Sequence, residues 1–385
     1  MLNRCQNRMD EVYEIEESAL DDRRACWTAL NLVLVDKRKV ATKIMARFPN
    51  PADVFRAAPK DFAGLGLGVD KARELFTPEL LERGRREVHD AEKKGFVLLT
   101  LDDVDYPDSL RETFDPPLVL YCMGRPEVLR EPSLAMVGAR KPTPYGRAMA
   151  ESLAREAGAR GLVIVSGMAF GIDTQSHWGA LDAGRTVAVL GSGLDVLYPS
   201  SNRQLARRIA ESGAVISEFP LKSRPLGFHF PLRNRIISGL SLAVIVIEAT
   251  LHSGSLITAR LALEQNRDVM AVPGNATSAL SAGTNWLIQS GAKLVGRWAD
   301  VADELPDYIK TRLAVTAEDP RPALPALTPD EAAVLERLKP DELTVIDDLV
   351  EATDYSVSEL LSILLGLELK GMIRQSPGKK FQRRL

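Results

Sequence analysis

Five loops carry most of the residues able to do chemistry in this chain of 385 residues. Ala139-Arg140-Lys141-Pro142-Thr143 follows the apolar run SLAMVG, and Met168-Ala169-Phe170-Gly171-Ile172-Asp173 follows VIVSG. Ser192-Gly193-Leu194-Asp195 follows TVAVLG, His252-Ser253-Gly254-Ser255 lies just beyond LAVIVIEA, and Gly274-Asn275-Ala276-Thr277 follows VMAVP. Glycine lets a backbone come close to an anion, and the free amides at a helix start carry partial positive charge. One such loop is ordinary turn chemistry. The same type recurring after successive strands predicts an anionic ligand. Arg140, Lys141, Arg233 and Arg235 add cations, while Phe170, His229 and Phe230 are either stacking faces for bases or ordinary core residues. Cation, backbone amide and aromatic face together suit single-stranded nucleic acid.

The stretch FHFPLRNRIISGL (228–240) places two of these arginines just before the run LAVIVIE. If 232–240 is helical, Leu232, Ile236 and Leu240 form an apolar stripe at i, i+4, i+8. Arg233 then lies toward the stripe and Arg235 away from it, which makes Arg235 the freer phosphate contact. An extended backbone would put both on one face.

The elements that must hold these loops follow from the periodicity. Residues 1–20 read as a flexible tail and 21–95 as a helical domain. Within the latter, DFAGLGLGVDKAR (61–73) fits the glycine-bearing turn of a helix-hairpin-helix or SAM-like domain, or equally a small bundle with glycine C-caps. From 96 to 312 the pattern changes to continuous apolar runs separated by helical stretches such as YGRAMAESLAREAGAR and SLITARLALEQNR. Continuous rather than alternating runs predict parallel strands covered on both faces. The expected fold is therefore α/β, a Rossmann-like doubly wound, mostly parallel sheet with ligands at the carboxyl ends of its strands. Proline-rich 313–328 reads as a linker. Residues 329–385 give three helices and a basic hairpin turning at Pro377-Gly378, a winged-helix pattern that is acidic through 341–359.

Composition bounds the function. The net charge is −3, so a nucleic-acid surface has to be a local patch. Cys5, Cys26 and Cys122 stand far apart with no C-x-x-C pair, which predicts a reducing compartment and no disulfide framework. The four histidines, His89, His177, His229 and His252, show no metal-ligand spacing, and no metal or other cofactor is expected. The acidic N-terminus is not a signal peptide, and no apolar run approaches the roughly 18 residues of a membrane span. A cytoplasmic protein without membrane contact is expected.

Other chemistries fit less well. GSGLDV (191–196) has Val196 where a dinucleotide fingerprint needs its third glycine, and no P-loop is present. Ser166 and Ser192 follow strands but lie outside any G-x-S-x-G, and His177 and His252 read as core or surface histidines. Asp173 and Asp195 read as helix caps.

The loops and their order resemble the DNA-processing protein A (DprA/Smf) family. The matching segments are VGARKPTPYG (137–146), VSGMAFGIDTQSHWGAL (165–181), VAVLGSGLDVLYPSSNRQL (187–205) and ISEFPL (216–221). FPLRNRIISGLS (230–241), SGSLITARLALEQNRDVMAVPGN (253–275) and GTNWLIQSGAKLV (283–295) complete the series. The resemblance implies a non-catalytic protein whose Rossmann-like domain binds single-stranded DNA, protects incoming DNA in natural transformation and loads the RecA recombinase, working as a homodimer. The DNA-facing positions it implies are Arg140, Lys141, Ser166, Gly167, Phe170, Gly171, Gly191, Gly193, Phe230, Arg233, Asn234, Arg235, Ser253, Gly254, Ser255 and Thr258. Two departures are Ala139, where many members have serine, and Phe170, where they have arginine. The alternative is a nucleotide hydrolase on a related sheet with P-G-G-x-G-T-x-x-E. Pro273-Gly274-Asn275 and Gly283-Thr284 echo it, but Leu287 stands where its glutamate belongs.

Overall fold

The computed structural model describes residues 22–62, 64–67, 73, 77–316, 327–340 and 342–383. The tail expected at 1–20, residues 63 and 68–72 of the glycine-bearing turn, and 317–326 of the expected linker lie outside the described residues.

The chain opens with helices α1 (Arg23–Leu34), α2 (Arg38–Arg47), α3 (Pro51–Arg56) and α4 (Pro78–Lys93). The starts of α1, α3 and α4 are set by side-chain caps: Asp22, Asn50 and Thr77 accept from Ala25 N, Ala52 N and Leu80 N, and proline opens α3 and α4. Strands β1 (Val97–Thr100), β2 (Val119–Gly124) and β3 (Ser133–Gly138) follow. Alternation then begins with α5 (Pro144–Ala159), β4 (Val163–Ser166), α6 (Ile172–Leu181), β5 (Arg185–Val189), α7 (Arg203–Ser212) and β6 (Ala214–Ser217). It continues through α8 (His229–Leu240), β7 (Ala243–Ile247), α9 (Gly254–Glu264), β8 (Asp268–Ala271), α10 (Ala282–Gln289) and β9 (Lys293–Leu294). Helices α11 (Trp298–Ala302) and α12 (Asp307–Thr316) come next, so the chain is still helical where the linker was expected to begin.

The molecule divides into two compact units. One unit holds the described residues up to Glu131 together with Val187–Leu240. In it, β1-β2-β6-β5 lie side by side, with β1–β2 and β2–β6 antiparallel and β5–β6 parallel. The N-terminal helices belong to this unit. Asn31 Nδ2 donates to the Glu218 carbonyl at 2.9 Å, the Glu87 carboxylate accepts from Leu221 N at 2.6 Å, and Arg38 pairs with Asp115.

The other unit holds Pro132–Thr186 and the described residues from Ser241 onward. Its strands β4-β3-β7-β8-β9 are all parallel. Strands β4 and β7 are buried along their whole length, which is why their sequences run apolar without alternation. Leu153 and Ala157 of α5, Ile164, Ile245, Met270, and Trp298, Val301 and Ile309 share one core. The unit also contains α13 (Pro329–Arg337), β10 (Thr344–Val345), α14 (Ile346–Ala352), α15 (Val357–Leu369), β11 (Ile373–Ser376) and β12 (Lys380–Arg383). These three helices and the sheet β10-β12-β11 enclose Val334, Leu349, Leu360, Leu364 and Phe381, the winged-helix arrangement. Thr328 with Glu331, and Ser356 with Glu359, form capping boxes at the starts of α13 and α15.

The stretch 229–240 is helical, yet its arginines do not divide as the apolar stripe predicts. Both are buried, Arg233 at 4% and Arg235 at 2% exposure. Arg235 Nη1 and Nη2 donate to the two oxygens of Glu218, itself 2% exposed, at 3.1 and 2.6 Å. Its Nε lies 3.4 Å from Asp115 Oδ2. Arg233 Nη1 donates to the Val189 carbonyl at the end of β5. Arg235 is thus the more deeply committed of the two, not the freer. The stripe argument failed because a polar partner below the helix, Glu218, made a second face buriable. Burial pushes the Glu218 carboxyl upward, opposed by Arg235 and then Arg38. Beside this pair, His229 stacks on Phe219 with ring centres 4.0 Å apart and Nδ1 3.2 Å from the Gly191 carbonyl.

Arg235→Met leaves the Glu218 carboxylate buried without its guanidinium and should cost about 3–5 kcal/mol of stability by urea unfolding. Arg235→Met/Glu218→Leu should recover part of that loss, whereas an equal or larger loss would show that the cost does not come from the unpaired carboxylate. Burial also pushes the His229 imidazole below its ordinary 6.5, against the pull of Gly191. The unfolded chain therefore takes up this proton first. The stability it contributes is present above the unfolded value and is lost as pH falls through the lowered folded one. Between pH 7.5 and 5.5 the urea midpoint should drop more in the native chain than in His229→Phe; equal drops refute the assignment.

Candidate nucleic-acid interface

Because β4, β3, β7 and β8 are parallel, the loops that leave their carboxyl ends share one edge of their unit. Arg140 and Lys141, just beyond β3, are both exposed there. Their loop is held by a residue that the sequence reading missed. Glu248, at the end of β7 with φ +51 and only 5% exposed, accepts from Thr143 N at 2.8 Å and from the Thr143 hydroxyl. Thr143 Oγ1 also accepts from Gly146 N, so one threonine caps α5 and docks its loop on the carboxylate. The signal was present as a single glutamate ending an apolar run and a Thr-Pro before a helix.

The next loop leans on this one. Gly171 has φ +81, and a Cβ on it would collide with the Ala139 carbonyl and the Arg140 backbone. Ile172 N donates to the same Ala139 carbonyl at 3.1 Å. The glycine is required by the approach of two loops, a different reason from the close anion contact expected of it. Phe170 is 50% exposed and does not pack in the core. Ser166 is fully buried and its hydroxyl donates to the Met136 carbonyl at 2.6 Å, so that side chain is committed to the sheet. Gly167 N and Ala169 N donate to Asp173 Oδ2 at 3.1 and 3.2 Å. Asp173 therefore fastens the loop before α6 instead of capping the helix.

On the third loop Ser253 caps α9, accepting from Ser255 N at 3.3 Å, and its Oγ lies 2.7 Å from Ser255 Oγ. Gly254 is exposed with open space beside it, whereas Ser255 and Thr258 are buried at 7% and 1%. These two side chains, expected as ligand contacts, are therefore largely covered. On the fourth, Asn285 bonds both Gly274 N and Gly274 O, which fixes the turn after β8, and the neighbouring Trp286 is 50% exposed. His177 is a core residue, as expected. Thr186 Oγ1 donates to the Ile164 carbonyl at 2.6 Å, so it accepts from His177 Nδ1 at 2.7 Å, and the imidazole proton sits on Nδ1.

The remaining candidates lie in the unit with the N-terminal helices. Gly191 and Gly193 are buried. A Cβ on Gly191 would meet the Phe230 ring at 2.9 Å, and one on Gly193 would meet the Pro220 carbonyl at 2.5 Å. Asp195 Oδ1 accepts from Lys222 N at 2.7 Å, so this aspartate also ties a loop and caps no helix. Phe230 and Asn234 are half-buried. Tyr198, absent from the sequence-based set, lies 5.9 Å from the Phe230 ring at 46% exposure, and Phe228 is 55% exposed. Arg233 and Arg235, buried as described, do not offer their guanidiniums to a ligand. Of the proposed side chains, Arg140, Lys141 and Phe170 are the exposed ones that cluster, on two loops in direct contact.

The family described as DNA recombination-mediator protein A matches residues 97–306, and the DprA winged helix domain matches 318–379. Among curated relatives, Protein Smf of Synechocystis sp. is 36% identical over 76% of this chain and 81% of its own length. The DNA processing protein DprA of Streptococcus pneumoniae is 47% identical over 53% of this chain and 72% of its own. The solved structure of the S. pneumoniae protein superposes with a TM-score of 0.58 at 36% identity, covering 75% of this chain and 96% of that one. A second solved structure, DNA processing protein A from Helicobacter pylori described for its single-stranded DNA binding mode, gives a TM-score of 0.50 at 33% identity, covering 57% and 96%. A family match across more than half of the chain, with relatives matched over most of their length, shows that the chain belongs to the DNA-processing protein A (DprA/Smf) family.

Proposed function

We propose that the chain binds single-stranded DNA as a non-enzymatic mediator, protecting incoming strands in natural transformation and loading the RecA recombinase onto them as a homodimer. The observation that carries the reading is the pairing of the Arg140-Lys141 loop with the Phe170 loop through Gly171. It sets two exposed cations and an exposed aromatic ring on adjacent loops. Phosphate neutralisation and base stacking are the two sequence-tolerant contributions that single strands offer. The H. pylori relative, whose structure is described for its single-stranded DNA binding mode, supports carrying this ligand over to the present chain. Among the described residues no helix is long and apolar enough to cross a membrane.

Binding of a labelled oligothymidine, measured at several salt concentrations, tests the reading. Arg140→Ala/Lys141→Ala should weaken binding about tenfold and flatten the salt slope by about 1.4, as expected for two lost phosphate contacts on a single strand. Phe170→Ala should weaken binding with the slope unchanged, because stacking releases no counterions. Absent or salt-independent binding by the native chain would overturn the proposal. For the loading step, RecA filament assembly on a strand precoated with single-strand-binding protein should be faster with the native chain than with the double variant.

A further inference from the structure

The winged helix was the one region whose charge argued against nucleic acid, since its helices are acidic through 341–359. Its hairpin has the opposite sign. A cleft of about 320 Å³ is lined by residues of α5 and by the hairpin β11–β12. Arg147 and Arg155 come from the helix, and Arg374 and Arg383 from the hairpin. One carboxylate, Glu151, lies among them. Its oxygens are 3.9 Å from Arg155 Nη1 and 3.4 Å from Arg374 Nη1, and the residue is 9% exposed. Four guanidiniums against one carboxylate leave the cleft strongly positive. Like charges converge there although the chain as a whole carries −3, so the field is concentrated rather than spread.

We propose that this cleft is a second phosphate site, taking the backbone of the same DNA strand that the Arg140-Lys141 loop binds; the proposal rests on the single-strand reading above. The guanidinium fork matches phosphate oxygens two at a time, which a lysine cannot do. The volume suits a phosphate with its sugar, at the lower end of small-ligand clefts. A strand, rather than a free anion, is favoured because the hairpin turn beside the cleft carries Lys379 and Lys380, both exposed and of the same sign. The winged helix thus contributes through its wing, and the acidic helices stay off the strand. Glu151 occupies part of the positive field and acts as a built-in competitor for it.

Oligothymidine binding by the full chain tests this, with folding of each variant checked by circular dichroism. Arg147→Ala/Arg374→Ala should weaken binding several-fold and reduce the salt slope by about 1.4. Glu151→Gln, which removes the competitor with little change of shape, should tighten it. Unchanged affinity and slope in the double variant, or weaker binding in Glu151→Gln, overturns the cleft. If inorganic phosphate raises the thermal midpoint of the native chain while the double variant still binds the strand normally, the cleft is a free-anion site and the proposal is also overturned. The two readings fail separately. Loss of binding in Arg140→Ala/Lys141→Ala with no effect in the cleft variants leaves the function standing without the cleft, and the reverse result leaves the cleft without the Arg140-Lys141 loop.

Discussion

Burial of parallel strands on both faces is the constraint from which the rest follows. A strand such as AVIVI, fully enclosed, has no position for a polar side chain along its length. Polar chemistry is therefore displaced to the strand ends, where the backbone leaves the ladder and needs new partners. Ser166, Glu248 and Ser217 all stand at or just beyond a strand terminus, and each bonds a loop or a neighbouring strand. Loops at these strand ends are consequently tied to the sheet by side-chain bonds.

That fastening changes what the glycines mean. A glycine-rich strand end invites the idea of an anion against bare backbone. In this protein Gly171, Gly191 and Gly193 are needed because another loop or an aromatic ring already occupies the space a side chain would take. The exposed charges are then presented by neighbours of the glycines. Arg140 and Lys141 project from a loop that Gly171 allows to pass, and Gly254 alone among these glycines of the strand-end loops has open space beside it.

Much of the architecture was legible because it is written in local patterns. The switch from helical period to continuous apolar runs marked the start of the α/β region, and stretches such as YGRAMAESLAREAGAR and SLITARLALEQNR marked helices that the structure keeps. The exposed cluster was legible for the same reason, since Arg140, Lys141 and Phe170 sit in loops bounded by recognisable strands. What stayed hidden depended on partners distant in sequence. Arg235 read as a free cation because its carboxylate, Glu218, lies 17 residues away with no pattern linking them. The bond from Asn31 to the Glu218 carbonyl, across 187 residues, likewise has no local signature. The burial of Ser255 and Thr258 was missed because a polar residue on a helix does not announce which face is covered.

The carboxylate of Glu248 has a consequence for how a ligand is met. Thr143 is bound to it through both backbone and side chain, so the Arg140-Lys141 loop has its shape before any strand arrives. The entropy of ordering that backbone is lost once, when the protein folds, and not again at each encounter. For the single-strand binding proposed above, this places the ordering cost of that loop in folding and leaves the encounter with only the ordering of the ligand.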